Sequence, residues 1–386
     1  MGELKALTGN KCAAYGAALC RPDLIAAYPI TPQSSVVEEL ADMVYSGALD
    51  ARMVQVESEH SAMSVVQGAA AAGGRVFTAT SAQGLALMYE PYFRMSTLRL
   101  PMVMAIATRE MTSPETIWSG QQDAMSVREA GWIQCFCETN QEILDMIIQG
   151  YMLAEDERVQ IPVNVCYDGF YSSHAVEGVL VPSQSEVDAF LPACAISARL
   201  DPREPQALDP MTPGALLMKH RRDHLESMRD ALKVIDEVDA NFAAAFGRSY
   251  GGAVEEYRLD GAEYALVTVG GMTGAARDVV DEARERGVPL GLLKLRFTRP
   301  FPAERVRAAL SGVKACAVID RSVSFGWDAG PMYVETLAAL GDGRASFSAI
   351  GGLGGADISM EQLRAVAERL ASMDGVTGRQ ATLWLD

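Results

Sequence analysis

Residues 75–107 read RVFTATSAQGLALMYEPYFRMSTLRLPMVMAIA. Arg75–Thr80 is a short apolar run with the length and β-branched content of a buried strand. Gln83–Met95 has the spacing of an amphipathic helix, and Pro101–Ala107 is apolar again. Strand, helix and strand in this order describe a parallel crossover, whose strands are covered on both faces. The pattern extends in both directions. Helices are expected over Cys12–Ala18, Val36–Tyr45, His60–Ala72 and Asn140–Glu155, with a further strand over Ile161–Tyr167.

The character changes near residue 200. Asp201-Pro-Arg-Glu-Pro205 and Asp209-Pro-Met-Thr-Pro213 are extended, proline-rich segments. A charged helix follows over Leu216–Phe246, and Gly251-Gly252 opens a second α/β unit. In that unit Tyr264–Val269, Leu290–Leu295 and Ala315–Asp320 read as strands, with a helix running to about Arg286. The expected division is residues 1–200, a linker with a long connecting helix over 201–258, and residues 259–386.

The chain has 386 residues, 49% of them apolar, enough for two large cores. Its formal net charge of −17 disfavours nucleic acid and anionic membranes as partners. No apolar run reaches the roughly 18 residues of a membrane span, and Met1–Leu7 lacks the apolar core of a signal peptide. Cytoplasmic location is the expectation. Seven cysteines include no Cys-x-x-Cys pair, so no iron–sulfur cluster is expected on this chain.

Three segments carry candidate chemistry. In Tyr28-Pro-Ile-Thr-Pro32 two prolines hold Thr31 in a strand-to-helix turn, where a hydroxyl can meet a carbonyl or an anion. The plain alternative is a turn capped by Ser34 or Ser35. In Glu57-Ser-Glu-His60 two acids open a helix; the ordinary role is pairing with the helix dipole, while a buried acid with a raised pKa could protonate a heteroaromatic nitrogen. Arg109 follows a strand directly, where ligands bind in parallel sheets, and could clamp a carboxylate. Gly341-Asp-Gly343 is read as a turn, because no Asn-Asn follows to complete a magnesium–diphosphate site. Gly270–Gly274 lacks the residues of a phosphate loop.

Together the segments resemble the alpha subunit of the pyruvate and 2-oxoacid:ferredoxin oxidoreductases. The resemblance rests on AAYPITPQSS from Ala26, VESEHSAMSVVQGAAAAG from Val56, FTATSAQGLALM from Phe77, IWSGQQD from Ile117, YDGFYSSH from Tyr167, GLLKLRFTRPFP from Gly291 and DRSVSFG from Asp320. It implies an α/β fold: a parallel-sheet, pyrimidine-type thiamine-diphosphate domain, then a smaller domain like the transketolase C-terminal one. It implies that thiamine diphosphate is shared with a beta subunit, and that Mg and 4Fe–4S clusters sit on partner subunits. The implied reaction is oxidative decarboxylation of pyruvate, or a bulkier 2-oxoacid, to acyl-CoA and carbon dioxide. Gamma and delta-type subunits, coenzyme A and ferredoxin or a similar acceptor complete the implied partners. Glu59 matches the acid that bonds the pyrimidine ring and favours its imino tautomer; Pro29, Ile30 and Gln83 fall in the cofactor-binding stretches. Thr31 and Arg109 match the residues that hold the substrate. Two departures stand out: Gly120-Gln121 replaces an Asp-His pair common in relatives, and Glu110–Glu115 replaces an Ala-rich segment. A non-redox thiamine-dependent decarboxylase or lyase subunit, or a non-catalytic assembly subunit, are the alternatives.

Overall fold

The structure is a computed structural model and describes residues 2–194, 196, 199–341 and 343–386. The Gly341-Asp-Gly343 turn reading falls partly on Asp342, and the N-terminal reading partly on Met1; both residues lie outside the described residues.

Two parallel sheets carry the molecule. The larger has seven strands in the order Phe297–Arg299, Ile133–Phe136, Val163–Asp168, Val103–Thr108, Val76–Thr80, Leu24–Ala27, Arg52–Gln55. Every pair in it is parallel except the first, which is antiparallel. Its central strands are buried along their whole length, as a sheet covered on both faces requires. The second sheet has six strands in the order Leu383–Leu385, Ala345–Gly351, Ala315–Asp320, Tyr264–Thr268, Leu290–Leu295, Val254–Tyr257. Only its last strand is antiparallel. One apolar core lies between the helices Gly9–Leu19 and Asn140–Ala154 and the first sheet; a second runs across both sheets. No helix among the described residues is long and apolar enough to cross a membrane.

The α/β class expected from the sequence is what the structure has. Three of its departures from the sequence reading bear on the layout. The helix expected over Gln83–Met95 is two helices, Ala82–Leu87 and Tyr89–Thr97, broken at Met88. Pro91 is the reason: it lacks an N–H and fits only the first turn of a helix, so a new helix starts just before it. The antiparallel ribbon of Glu3–Thr8 with Val176–Val181 was not expected, because each strand is largely exposed and lacks the apolar run of a buried strand. Phe297–Arg299 leaves the second unit's sequence to pair with Ile133–Phe136 of the first sheet.

Charged side chains join the two sheets. Glu142 is buried and accepts hydrogen bonds from Lys294 Nζ at 2.8 Å and Arg296 Nε at 2.5 Å. Lys294 also reaches Glu138 at 2.9 Å, and Arg296 Nη2 reaches Glu255 at 2.8 Å. The long helix Gly214–Phe246 lays a stripe of His224, Met228, Ala231, Ile235, Val238 and Phe242 on the core and ends at Gly247, whose φ of 71° is the left-handed conformation that stops helices.

Candidate active site

The candidate residues lie where parallel strands of the first sheet end, the place where open α/β sheets bind ligands. Helix Glu59–Ala71 starts with Ser58 as its cap: the hydroxyl accepts the amide of Ser61 at 3.2 Å. Glu59 is therefore the first helical residue, and its side chain is buried, 6% exposed. Its own backbone amide favours the charged carboxylate, but burial outweighs that and raises its pKa above the ordinary value. Among the described residues no side chain donates to this carboxyl.

Gly84, in helix Ala82–Leu87, faces it. A Cβ on Gly84 would stand 2.6 Å from Glu59 Oε1 and 2.5 Å from Thr80 Oγ1. Thr80 Oγ1 is itself buried and has no hydrogen-bond partner among the described residues. The glycine is thus a condition of the Glu59 position rather than of the helix. Gly84→Ala is expected to displace the carboxyl and to cost about 1–3 kcal/mol by overpacking, which denaturant unfolding would measure.

Thr31 follows strand Leu24–Ala27 in an exposed turn. The turn is fixed from below: Gln33 Nε2 donates to Ala79 O at 2.8 Å, and Asn10 Nδ2 donates to Pro32 O at 2.7 Å. Arg109 is 5% exposed. It donates from Nε to Thr116 O at 3.0 Å, from Nη1 to Thr31 O at 2.9 Å and from Nη2 to Glu115 Oε1 at 3.1 Å. A guanidinium has five N–H donors, so these contacts leave others available to a ligand. Gln83 Nε2 donates to the same Glu115 oxygen at 3.3 Å. Glu115 is thereby a carboxylate gripped by Arg109 and Gln83 together, though its side chain is 64% exposed.

The structure brings Glu59, Gln83, Thr31 and Arg109 into one neighbourhood through Gly84 and Glu115. Pro29 is exposed and Ile30 half-buried on the Thr31 turn; neither side chain has a polar atom, so they offer only apolar surface. Glu57 is exposed and accepts the Ser61 hydroxyl at 2.7 Å.

Sequence reading missed Asp123. It is fully buried and accepts the amides of Ala82 at 2.9 Å and Arg109 at 3.0 Å, so one carboxyl fixes both the Gln83 helix and the Arg109 strand end. Burial pushes its pKa up to about 7 despite these bonds. Glu110 was noticed only as a departure. Its buried carboxyl reaches into the space beside Gly120, where a Cβ would stand 2.0 Å from Oε1. Burial pushes it, too, up to about 7. The two departures at 110 and 120 are therefore one packing change. The neighbours of Asp123, Ser119-Gly-Gln-Gln122 and Ser126, are small or polar, so nothing local marks it as a buried acid.

The second sheet closes the site from the side. Arg321 Nη1 pairs with Asp168 at 2.7 Å, and Gln121 N donates to Arg321 O at 3.0 Å. Gly271 N donates to Asp168 Oδ2 at 2.8 Å, so the glycine loop serves a protein carboxylate.

Residues 15–240 match the family described as pyruvate flavodoxin/ferredoxin oxidoreductase, thiamine-diphosphate-binding. The chain belongs to this family. Residues 262–363 match its pyruvate:ferredoxin oxidoreductase core domain II. It is thus an oxidoreductase subunit of the thiamine-diphosphate-binding kind. Among its relatives, the alpha subunit of NADH-dependent phenylglyoxylate dehydrogenase of Aromatoleum evansii is 48% identical, covering 98% of this chain and 94% of that one. The pyruvate synthase subunit PorA of Methanocaldococcus jannaschii is 43% identical, covering 100% and 98%. That of Thermotoga maritima is 41% identical, covering 99% and 98%. Among solved structures, 2-oxoglutarate:ferredoxin oxidoreductase from Magnetococcus marinus shares the fold with a TM-score of 0.75 at 18% identity; the match covers 96% of this chain and 66% of that chain's length. The residues around Glu59 fit the family's cofactor: a buried carboxyl whose pKa burial raises, a Thr80 hydroxyl without a partner among the described residues, and a glycine that leaves space between them.

Proposed function

We propose that this chain forms the pyrimidine-binding half of a thiamine-diphosphate site in a cytoplasmic 2-oxoacid:ferredoxin oxidoreductase, with Glu59 donating to the ring and Thr31 and Arg109 holding the substrate. A beta subunit would hold the diphosphate, Mg and 4Fe–4S clusters; gamma and delta-type subunits and ferredoxin would complete electron transfer. The observation that carries the reading is the buried Glu59 carboxyl, its pKa raised by burial, packed against Gly84. When bound, thiamine diphosphate supplies the nucleophile for the 2-oxoacid carbonyl, and coenzyme A takes the acyl group. This chain's residues hold a proton at the Glu59 carboxyl, offer apolar surface at Pro29 and Ile30, and present Arg109 N–H donors to a carboxylate.

Glu115 supports the last role, since its carboxylate already sits on Arg109 and Gln83 as a substrate carboxylate would. Arg109→Lys loses the guanidinium fork and is expected to raise KM for the 2-oxoacid about tenfold. Glu115→Gln removes a competing anion and should lower KM; steady-state kinetics of both variants check the pair.

Pyruvate is the first substrate reading. An aryl 2-oxoacid is the second, favoured by the exposed apolar side chains of Ile117 and Trp118 next to the Thr116 carbonyl that holds Arg109, and by the relative named for phenylglyoxylate. The test is viologen-dye reduction by the purified complex with pyruvate, phenylglyoxylate and 2-oxoglutarate. One of the first two should exceed 2-oxoglutarate at least about tenfold in kcat/KM. Aldehyde release with no acceptor present, without dye reduction, would favour a lyase and overturn the proposal. Unchanged activity in the Arg109 and Thr31→Ala variants would favour an assembly subunit.

A further inference from the structure

A cleft of about 660 Å³ lies at the other end of the first sheet from Glu59 and Arg109. Ala130 and Gly131, on its wall, precede strand Ile133–Phe136, and Thr97 ends the helix that leads toward strand Val103–Thr108. These are the strands' starting ends; the candidate active site is at their finishing ends. The volume is that of a small-molecule site.

Five separate pieces of chain build it. The long helix contributes Arg221, His224, Leu225, Met228, Arg229 and Leu232. That spacing is a single helix face, cationic near both ends and apolar between. Helix Tyr89–Thr97 contributes Phe93 and Thr97; the segment before the strand contributes Arg128 and Glu129; the second unit contributes Arg299, Pro300 and Phe301, with Glu335 beside them.

The charges do not cancel. Four guanidinium groups meet two carboxylates, in a chain whose net charge is −17. Both carboxylates are engaged by Arg299, which donates to Glu129 at 2.5 Å and Glu335 at 2.7 Å. Arg128 Nε lies 3.6 and 3.7 Å from the same acids, and is buried without a hydrogen-bond partner. Among the described residues, Arg221 and Arg229 form no ion pair. His224 donates from Nε2 to Gly131 O at 2.8 Å, which leaves Nδ1 an acceptor. A wall of Phe93, Leu225, Met228 and Phe301 gives the cleft an apolar side. Arg221 and Arg229, without an ion pair among the described residues and beside apolar surface in a concavity of this size, match an anion that carries a hydrocarbon or aromatic body.

We propose that this cleft is a second binding site, for a small organic anion whose carboxylate or phosphate lies on Arg128, Arg221 and Arg229 and whose apolar body lies on Phe93, Leu225 and Phe301. The site does not depend on the active-site reading, because it uses none of those residues. Its occupant meets the protein away from the reacting end, so it is not the substrate of the proposed reaction.

The experiment is calorimetric titration of the purified holoenzyme with phenyl phosphate, phenylacetate and inorganic phosphate. At least one aryl anion should bind saturably, about tenfold or more tighter than inorganic phosphate, which has the charge without the body. Which aryl anion binds more tightly identifies the head group. Arg221→Ala combined with Arg229→Ala removes two exposed side chains and should weaken that binding about tenfold, with turnover at saturating substrate unchanged. Arg109→Ala should leave it intact, which separates this cleft from the active site. Absence of saturable aryl-anion binding to the holoenzyme, including through cover by another subunit, would overturn the proposal. So would binding that survives the double substitution, or that disappears with Arg109→Ala.

Discussion

Glu59→Gln is expected to reduce 2-oxoacid-dependent dye reduction by roughly 10²–10⁴-fold, the range in which a positioned proton donor contributes. The amide keeps the size and hydrogen-bonding reach of the acid, so the packing against Gly84 and Thr80 survives. What is lost is a group that can both give and take a proton. Melting temperature and association with partner chains should stay near the parent values. Activity in the parent also has a predicted pH limb. Burial raises the Glu59 pKa, so the protonated form persists to higher pH than for a free carboxyl and is lost as pH rises through the raised value. In the proposed role that loss lowers the rate on the alkaline side, and the limb should vanish in the glutamine variant. Near-parent activity for Glu59→Gln would remove this residue from the chemistry while leaving the family assignment untouched.

Glu142→Ala is expected to be the most destabilising single change, at about 3–5 kcal/mol in denaturant unfolding. Its carboxylate lies between Lys294 and Arg296, both buried, and no water can replace it readily. Removing the acid strands two charges in the interior. The cost comes from two buried cations that lose the acid between them, rather than from the net worth of the ion pairs. Arg296 keeps Glu255 and Lys294 keeps Glu138, so the loss falls short of complete unfolding. The pH dependence has a fixed sign. Burial opposes ionisation of Glu142, but Lys294 and Arg296 prevail and hold it down to about 2. Its stabilisation is therefore present above the unfolded value of about 4.3 and is lost as pH falls from there toward about 2. A parent protein that already lost this contribution near pH 6 would contradict the assignment.

Local sequence made the alternation of strand and helix legible, because central strands of a parallel sheet are apolar throughout and need no partner to be recognised. The location of Glu59 at a helix start and of Arg109 at a strand end was legible for the same reason: both follow from element boundaries. What escaped depends on contacts between distant segments. Gly84 looks like an ordinary small helical residue until the Glu59 carboxyl is found against it. Asp123 carries no local sign that it will fasten both Ala82 and Arg109. The replacement at Gly120 looked like the loss of an acid, whereas the Glu110 side chain fills that space. The cationic cleft draws on five segments, and no window of sequence contains it.

The strand Phe297–Arg299 has a consequence for how the protein is made. Ile133–Phe136 is synthesised early, but its outer neighbour comes from much later in the message. Until residue 299 has left the ribosome, the nascent chain presents an unpaired row of main-chain donors and acceptors, a template for sticking to other nascent chains. The protein therefore completes its first sheet only after about three quarters of the chain is made, and a fragment ending in the proline-rich stretch would carry that raw edge permanently.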